Sequence, residues 1–375
     1  MIVHLIQALY DSQIPVPTEE EFYKQAMEDI EFFEIHSQIY YLLKQRETFH
    51  QTPLFFQKQL TQKYNEVLYL NLFIKNQTEQ ILNKFEDIGV DVIPLKGVVF
   101  AEKYFGHIGA RSTSDIDLLI KTPDIKKAID CIKSLGFTFE EEYIPSHFHC
   151  SFSKALPGST IPLTVEIHWN LLKENTSNLQ IEDFWNQAKS LKPYNHIKEL
   201  SDYHTFYMIC LHGWKHNLNS LKYFIDIIQM IYILNNKLDY TVLFKEAASH
   251  KTLKRIIRTL AIVYNLFPQL ENIKQLPLKR RGNLWWEYRA IRDKDFKSFQ
   301  QYINFAYFNF LDFDTIKHRL IAIYNWILPS KIELSFELGS DSKEKYLFFE
   351  YVKLYKKRGY NFFHTILHRQ KVEKQ

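Results

Sequence analysis

Residues 95–97 read Leu-Lys-Gly, and residues 111–120 read Arg-Ser-Thr-Ser-Asp-Ile-Asp-Leu-Leu-Ile. Asp115 and Asp117 flank Ile116 and run into Leu118, Leu119 and Ile120, an alternation that predicts a β-strand buried on one face. Residues i and i+2 of a strand point the same way, so both carboxylates leave one face side by side. Like charges at that spacing repel, and a divalent cation is the simplest group that makes the arrangement favourable. Mg²⁺ suits it, because that ion takes few protein carboxylates and fills its shell with water and phosphate oxygens. The plain alternative is a solvated Asp-x-Asp on an exposed strand, so the surrounding sequence has to decide.

Upstream, Val90 to Leu95 form a short apolar run that predicts a buried strand. Lys96-Gly97 closes it, and residues 98–104 can open a helix. Glycine at that turn lets a phosphate approach the backbone, and a new helix offers unpaired N–H groups. Lys96 adds a mobile positive charge and Arg111 a planar fork for phosphate oxygens. Five of the ten glycines (Gly89, Gly97, Gly106, Gly109, Gly136) fall in this part of the chain. Downstream, Val165-Glu166-Ile167-His168-Trp169 alternates as a strand, with Glu166 and His168 on one face. His168 can steady Glu166 or contact phosphate, or be an ordinary polar residue at a strand end.

This order of motifs resembles the nucleotidyltransferases of the DNA polymerase β superfamily. Those proteins carry a glycine turn after the first strand, a carboxylate pair on the next and a third carboxylate on a later one. The resemblance is closest to a bacterial family of uncharacterised nucleotidyltransferases, in which Leu-Lys-Gly, Arg-x-x-x-Asp-Ile-Asp-Leu-Leu and Glu-x-His-Trp recur in this order. The chain is also similar to abortive-infection type toxin nucleotidyltransferases. The motifs span residues 90–170. The resemblance implies transfer of a nucleoside monophosphate from an NTP to an acceptor with Mg²⁺ or Mn²⁺. It implies metal-holding, catalytic roles for Asp115, Asp117 and Glu166, and nucleotide contacts from Lys96, Gly97, Arg111, His168 and Lys215. Val98 stands where most of the superfamily places serine. That departure keeps open a catalytically inactive nucleotide-binding or scaffold module on the same fold.

The rest of the chain predicts the setting. Its 375 residues, 46% apolar and 24% charged, suffice for a core with helical additions, and 23 Tyr and 30 Phe make that core bulky. Residues 18–50 and 54–88 show helical spacing, with Pro53 as a break and Gly89 as a stop. Thr122-Pro123 starts a helix that Gly136 closes, and residues 137–139 begin another strand. His147 to Ser153 alternates as a strand with His147 and His149 on one face, a pair with no Cys or acidic neighbours at zinc spacing. Pro157-Gly158-Ser159 is a turn into the strand of Glu166. From residue 171 the chain turns helical, and Lys215, His216 and Asp226 lie where a second wall of the cleft would stand. The expected fold is α/β (α+β): a small mixed-sheet core at 78–170 between a helical segment at 1–77 and a helical domain at 171–375.

Net charge is +4, which permits contact with nucleotide or RNA without demanding it. The basic clusters Lys279-Arg280-Arg281 and Lys356-Lys357-Arg358 lie beside aromatics, a composition suited to RNA or a membrane surface, and they favour RNA as acceptor over a small molecule. Cys131, Cys150 and Cys210 form no disulfide or metal pattern, which fits reduced thiols in a cytoplasm. No leading signal sequence and no membrane-length apolar run is expected.

Overall fold

The structure, a computed structural model, describes residues 1–141, 147–156, 162–278, 284–293, 299–339 and 347–372. The expected Pro157-Gly158-Ser159 turn and the Lys279-Arg280-Arg281 cluster lie outside them. The chain opens with α1 (Ile2–Tyr10), α2 (Glu20–Phe33), α3 (His36–Gln45) and α4 (Leu54–Asp87). The core follows as β1 (Val92–Pro94), α5 (Gly97–Phe100), β2 (Asp115–Ile120), α6 (Ile125–Ser134), β3 (Thr138–Glu141), β4 (His149–Lys154) and β5 (Leu163–His168). Next come α7 (Ile181–Asn186), α8 (Asp202–Lys215), α9 (Leu221–Leu234), α10 (Tyr240–Ser249), α11 (Leu253–Leu266) and α12 (Leu270–Ile273). The last helices are α13 (Tyr288–Arg292), α14 (Phe299–Ala306), α15 (Ile316–Ile327), α16 (Lys331–Leu338) and α17 (Leu347–Val372).

The five strands form one mixed sheet in the order β1-β2-β5-β4-β3. Only β2 and β5 run parallel; the other pairs are antiparallel. Strand alternation then sorts the side chains. Ile116, Leu118 and Ile120 of β2, with Leu163, Val165 and Ile167 of β5, pack into one apolar cluster with α4 and α6. Each fully buried aliphatic side chain there contributes about 1.5–3 kcal/mol. The opposite face carries Asp115, Asp117 and Leu119 on β2 and Thr164, Glu166 and His168 on β5, and Leu119 joins a second cluster. That second cluster is helical and draws on both ends of the chain: α1–α3 pack with α8, α9 and α11. Tyr10 donates to Gln229 Oε1 at 2.7 Å and Gln7 to the Leu266 carbonyl at 3.1 Å, tying the first helix to the wall opposite the sheet.

Several elements differ from the sequence reading. α1 was not anticipated, and the helical stretch at 18–50 is two helices. Glu34 separates them in the left-handed region, at φ 54°. The pattern at 54–88, open to one helix or two, is one helix of 34 residues. The helix after Gly97 has a single α-turn and continues as a π-helix over Ala101–Phe105. β4 starts at His149, not His147. Its partner β5 ends at His168, opposite His149, so His147 has no strand to pair with.

Candidate active site

A cleft lies between the polar face of the sheet and the α8–α9 hairpin. Lys96, Gly97, Arg111, Asp115, Asp117, Glu166 and His168 line it on the sheet side, and His212, Lys215, His216, Lys222 and Tyr223 on the helical side. Phe148, Leu171, Met208 and Leu211 supply apolar wall.

The register of two parallel strands makes the centre. Asp117 pairs directly with Glu166, and Leu119 with His168. The Nε2 atom of His168 lies 3.0 Å from Asp117 Oδ1 and 3.0 Å from Glu166 Oε2. Lys96 Nζ lies 2.9 Å from the other oxygen of Asp117. Asp117, Glu166 and His168 each offer a ligand atom within 4.8 Å of the others, so these three residues could hold a metal ion. Asp115 projects from the same face one strand repeat away, outside that group.

Electrostatics divides the carboxylates. Burial works against the charged form of Asp117, but Lys96 and His168 outweigh it and hold its carboxyl well below the usual range. Glu166 is likewise lowered, burial being overcome by its hydrogen bond from His168. The same contacts overcome burial to raise His168 and Lys96. Asp115 moves the other way: burial and then repulsion from Asp117 push it up, against Lys96 and Lys222. A half-buried carboxylate raised by a like charge is what an added cation relieves, and the carboxylate donors are hard oxygens. The residues therefore fit a divalent ion such as Mg²⁺ or Mn²⁺.

Gly97 has its local reason. Its φ is +70°, and a Cβ there would come within 3.3 Å of Thr113 and 3.5 Å of the Asp115 carbonyl, so the turn needs glycine. Val98 beside it is buried in the sheet-side cluster. Arg111 lines the cleft, but its fork is engaged: Nε and Nη2 donate to the two carboxylate oxygens of Asp226 on α9, both at 2.8 Å. The expected phosphate fork is thus a bidentate tie between the sheet and the helical wall. Asp226 is correspondingly a buried anchor. Lys215 does reach the cleft, with Nζ 4.3 Å from the centre of the Phe148 ring, and so does His216, stacked on Tyr223.

Sequence reasoning missed His212, Lys222, Tyr223 and Phe148. Ser201 and Ser220 cap α8 and α9, accepting from the amides of His204 and Lys222, and set where each helix begins. Gly213 lets the connecting loop fold tightly back on α8, since a Cβ there would meet Leu218 at 3.0 Å. The result faces His212 and Lys215 of α8 toward Lys222 and Tyr223 of α9. Burial and then Arg111 push the Lys222 ammonium down to about 8. Burial and Lys215 lower His216 to about 4, and burial and His168 do the same to His149, so both are neutral at ordinary pH. A Ser-x-Lys-Tyr helix start after a glycine-bearing helix was the only signal available for Lys222 and Tyr223.

The model of a family of uncharacterised nucleotidyltransferases matches residues 22–268, from α2 to just past α11. The chain belongs to that family. The match takes in every sheet-side and helical residue of the cleft and ends before α12–α17. No curated protein and no solved structure matches the chain. Among the described residues, no helix is long and apolar enough to cross a membrane.

Proposed function

We propose that this chain is a metal-dependent enzyme that moves a nucleoside monophosphate from an NTP to an acceptor hydroxyl or phosphate. The observation that carries the reading is the pairing of Asp117 with Glu166 across parallel strands, beside Asp115, in a cleft of a nucleotidyltransferase-family chain. The similarity of the motifs to the DNA polymerase β superfamily supports it. Asp115, Asp117 and Glu166 are the residues that would hold the ion. A bound Mg²⁺ or Mn²⁺ would neutralise charge on the transferring phosphate. The acceptor oxygen attacks the α-phosphorus, the bond from that phosphorus to the bridging oxygen breaks, and pyrophosphate leaves. Glu166, the more accessible of the two carboxylates that His168 contacts, at 26% side-chain exposure against 1% for Asp117, takes the acceptor proton. His168 keeps Glu166 and Asp117 oriented by donating toward both. Lys96, Lys215 and Lys222 meet the triphosphate, and Gly97 allows its close approach to the backbone. Arg111 acts indirectly, by fixing α9 against the sheet.

The test is release of labelled pyrophosphate with Mg²⁺ or Mn²⁺, comparing wild type with Asp117→Asn across a panel of acceptors. Equal release by both proteins would remove the carboxylates from the mechanism. Radiolabelled NTPs in a cell lysate, followed by RNase or protease digestion, identify the acceptor. RNA is the class proposed, and label that survives RNase but not protease would overturn it. The apolar Val98 favours one second reading, a nucleotide-binding module without turnover; metal-independent NTP binding in a calorimeter with no pyrophosphate released would establish that instead.

A further inference from the structure

The segment after the family match carries an apolar surface that is exposed among the described residues. On α15, Ile316, Leu320, Ile323 and Ile327 recur at i, i+4, i+7 and i+11, one helix face, and all four are exposed, Ile316 at 74%. On α17, Phe348, Tyr355 and Phe363 lie along one face with Phe349 at its rim, and all four are exposed, Phe348 at 72%. The inward face of α17 is different: Leu354 and Glu350 are buried, and Arg358 pairs with Glu337 of α16. The C-terminal end of α15 meets α17. The Tyr355 hydroxyl donates to the Ile327 carbonyl, the Tyr351 hydroxyl donates to the Pro329 carbonyl at 2.8 Å, and the Arg358 guanidinium sits 4.3 Å from the centre of the Trp326 ring.

Charge says what covers this surface. Residues 347–375 hold seven Lys or Arg against Glu350 and Glu373, a net +5, whereas the whole chain carries only +4. The basic excess of the protein is therefore concentrated on the helix with the exposed aromatics. Lys356 stands within the aromatic face, where its stem can lie along apolar surface while the ammonium reaches outward. A helix with exposed aromatics and a basic flank suits the headgroup region of an anionic bilayer. A second copy of the chain would bring two positive faces together, against Coulomb repulsion. RNA would match the charge and the aromatics of α17, but the aliphatic row on α15 offers no π-face for a base, whereas a bilayer takes up both rows.

We propose that α15 and α17 dock this chain on an anionic lipid surface, lying in the headgroup plane and holding the cleft beside the membrane. The full chain is tested by co-sedimentation with vesicles of phosphatidylcholine alone and of phosphatidylcholine with a third phosphatidylglycerol. We expect binding to the anionic vesicles only, falling steeply with added salt. Lys353→Glu with Lys356→Glu should weaken it at least about tenfold, and Phe348→Ser with Phe349→Ser comparably. Circular dichroism of each variant checks that it is folded, and unchanged NTP binding keeps this result separate from the fate of the proposed chemistry. Equal sedimentation with both vesicle types, or none with either, would overturn the proposal. So would salt-sensitive binding of a single-stranded RNA that displaces the vesicles and depends on the same residues, or a dimer in analytical ultracentrifugation that Leu320→Glu dissolves.

Discussion

Removing one partner of the Arg111–Asp226 pair tests whether it ties the sheet to the helical wall. Both side chains are almost fully buried, at 6% and 1% exposure, and share two charge-assisted hydrogen bonds of 2.8 Å. The pair joins the loop before β2 to α9, 115 residues further on. Asp226→Asn strands a guanidinium in a site where burial opposes its charge and Asp226 is the chief compensation. Breaking a buried ion pair from one side costs about 3–5 kcal/mol. Replacing both partners with apolar groups of similar volume is close to neutral, because no charge is left uncompensated. Urea unfolding followed by circular dichroism should therefore show Asp226→Asn and Arg111→Met each losing about 3–5 kcal/mol. The double variant Arg111→Met/Asp226→Leu should recover most of that loss. The reasoning fails if either single change costs under about 1 kcal/mol, or if the double variant is as unstable as the sum of the singles. If Arg111→Met instead abolishes NTP binding while leaving stability intact, the guanidinium is a phosphate ligand, as its sequence context suggested.

Asp117→Asn should lower labelled pyrophosphate release by about a hundredfold, together with a loss of stability in the same unfolding assay, because it takes the buried counter-charge from Lys96 and His168. Lys222→Met and Lys215→Met each remove a cation from the cleft and should weaken NTP binding about 10- to 100-fold by calorimetry, in line with a charge-assisted hydrogen bond. Acid should destabilise the protein. Burial and then Lys63 hold His36 down at about 4, so between about pH 6.5 and 4 the unfolded chain binds a proton that the folded one refuses. Stability from this group is full above the ordinary histidine pKa and falls as pH drops through that window, by at most about 1.4 kcal/mol per pH unit. His36→Phe should flatten that part of the stability-against-pH curve, and an unchanged slope would show that His36 does not titrate in this way.

The polar face of the sheet was legible because it depends on local geometry. Two residues apart on a strand means one face, and that alone aligned Asp115 with Asp117 and Glu166 with His168. Gly97 was equally readable, since a turn at positive φ selects glycine without reference to anything distant. The residues between them, apolar at alternate positions, committed β2 and β5 to a buried sheet before any neighbour was known. Whether the two strands would meet side by side, and in which register, was not written locally. That was decided by the packing of α4 and α6 beneath them and by backbone pairing across some fifty residues. Arg111 shows the limit most clearly. Its position before the Asp pair suggested a phosphate ligand, yet the partner that claims its fork lies on a helix far along the chain. Lys222 and Tyr223 enter the cleft only because the α8–α9 hairpin closes over the sheet. The first helix likewise found its place in tertiary packing, against α2 and α3 and through its hydrogen bonds to α9 and α11. Sequence determined which side chains each element presents to a common face, because that follows from backbone period alone. Tertiary structure decided which faces meet, because burial rewards any complementary apolar surface and leaves the choice among partners to the whole fold.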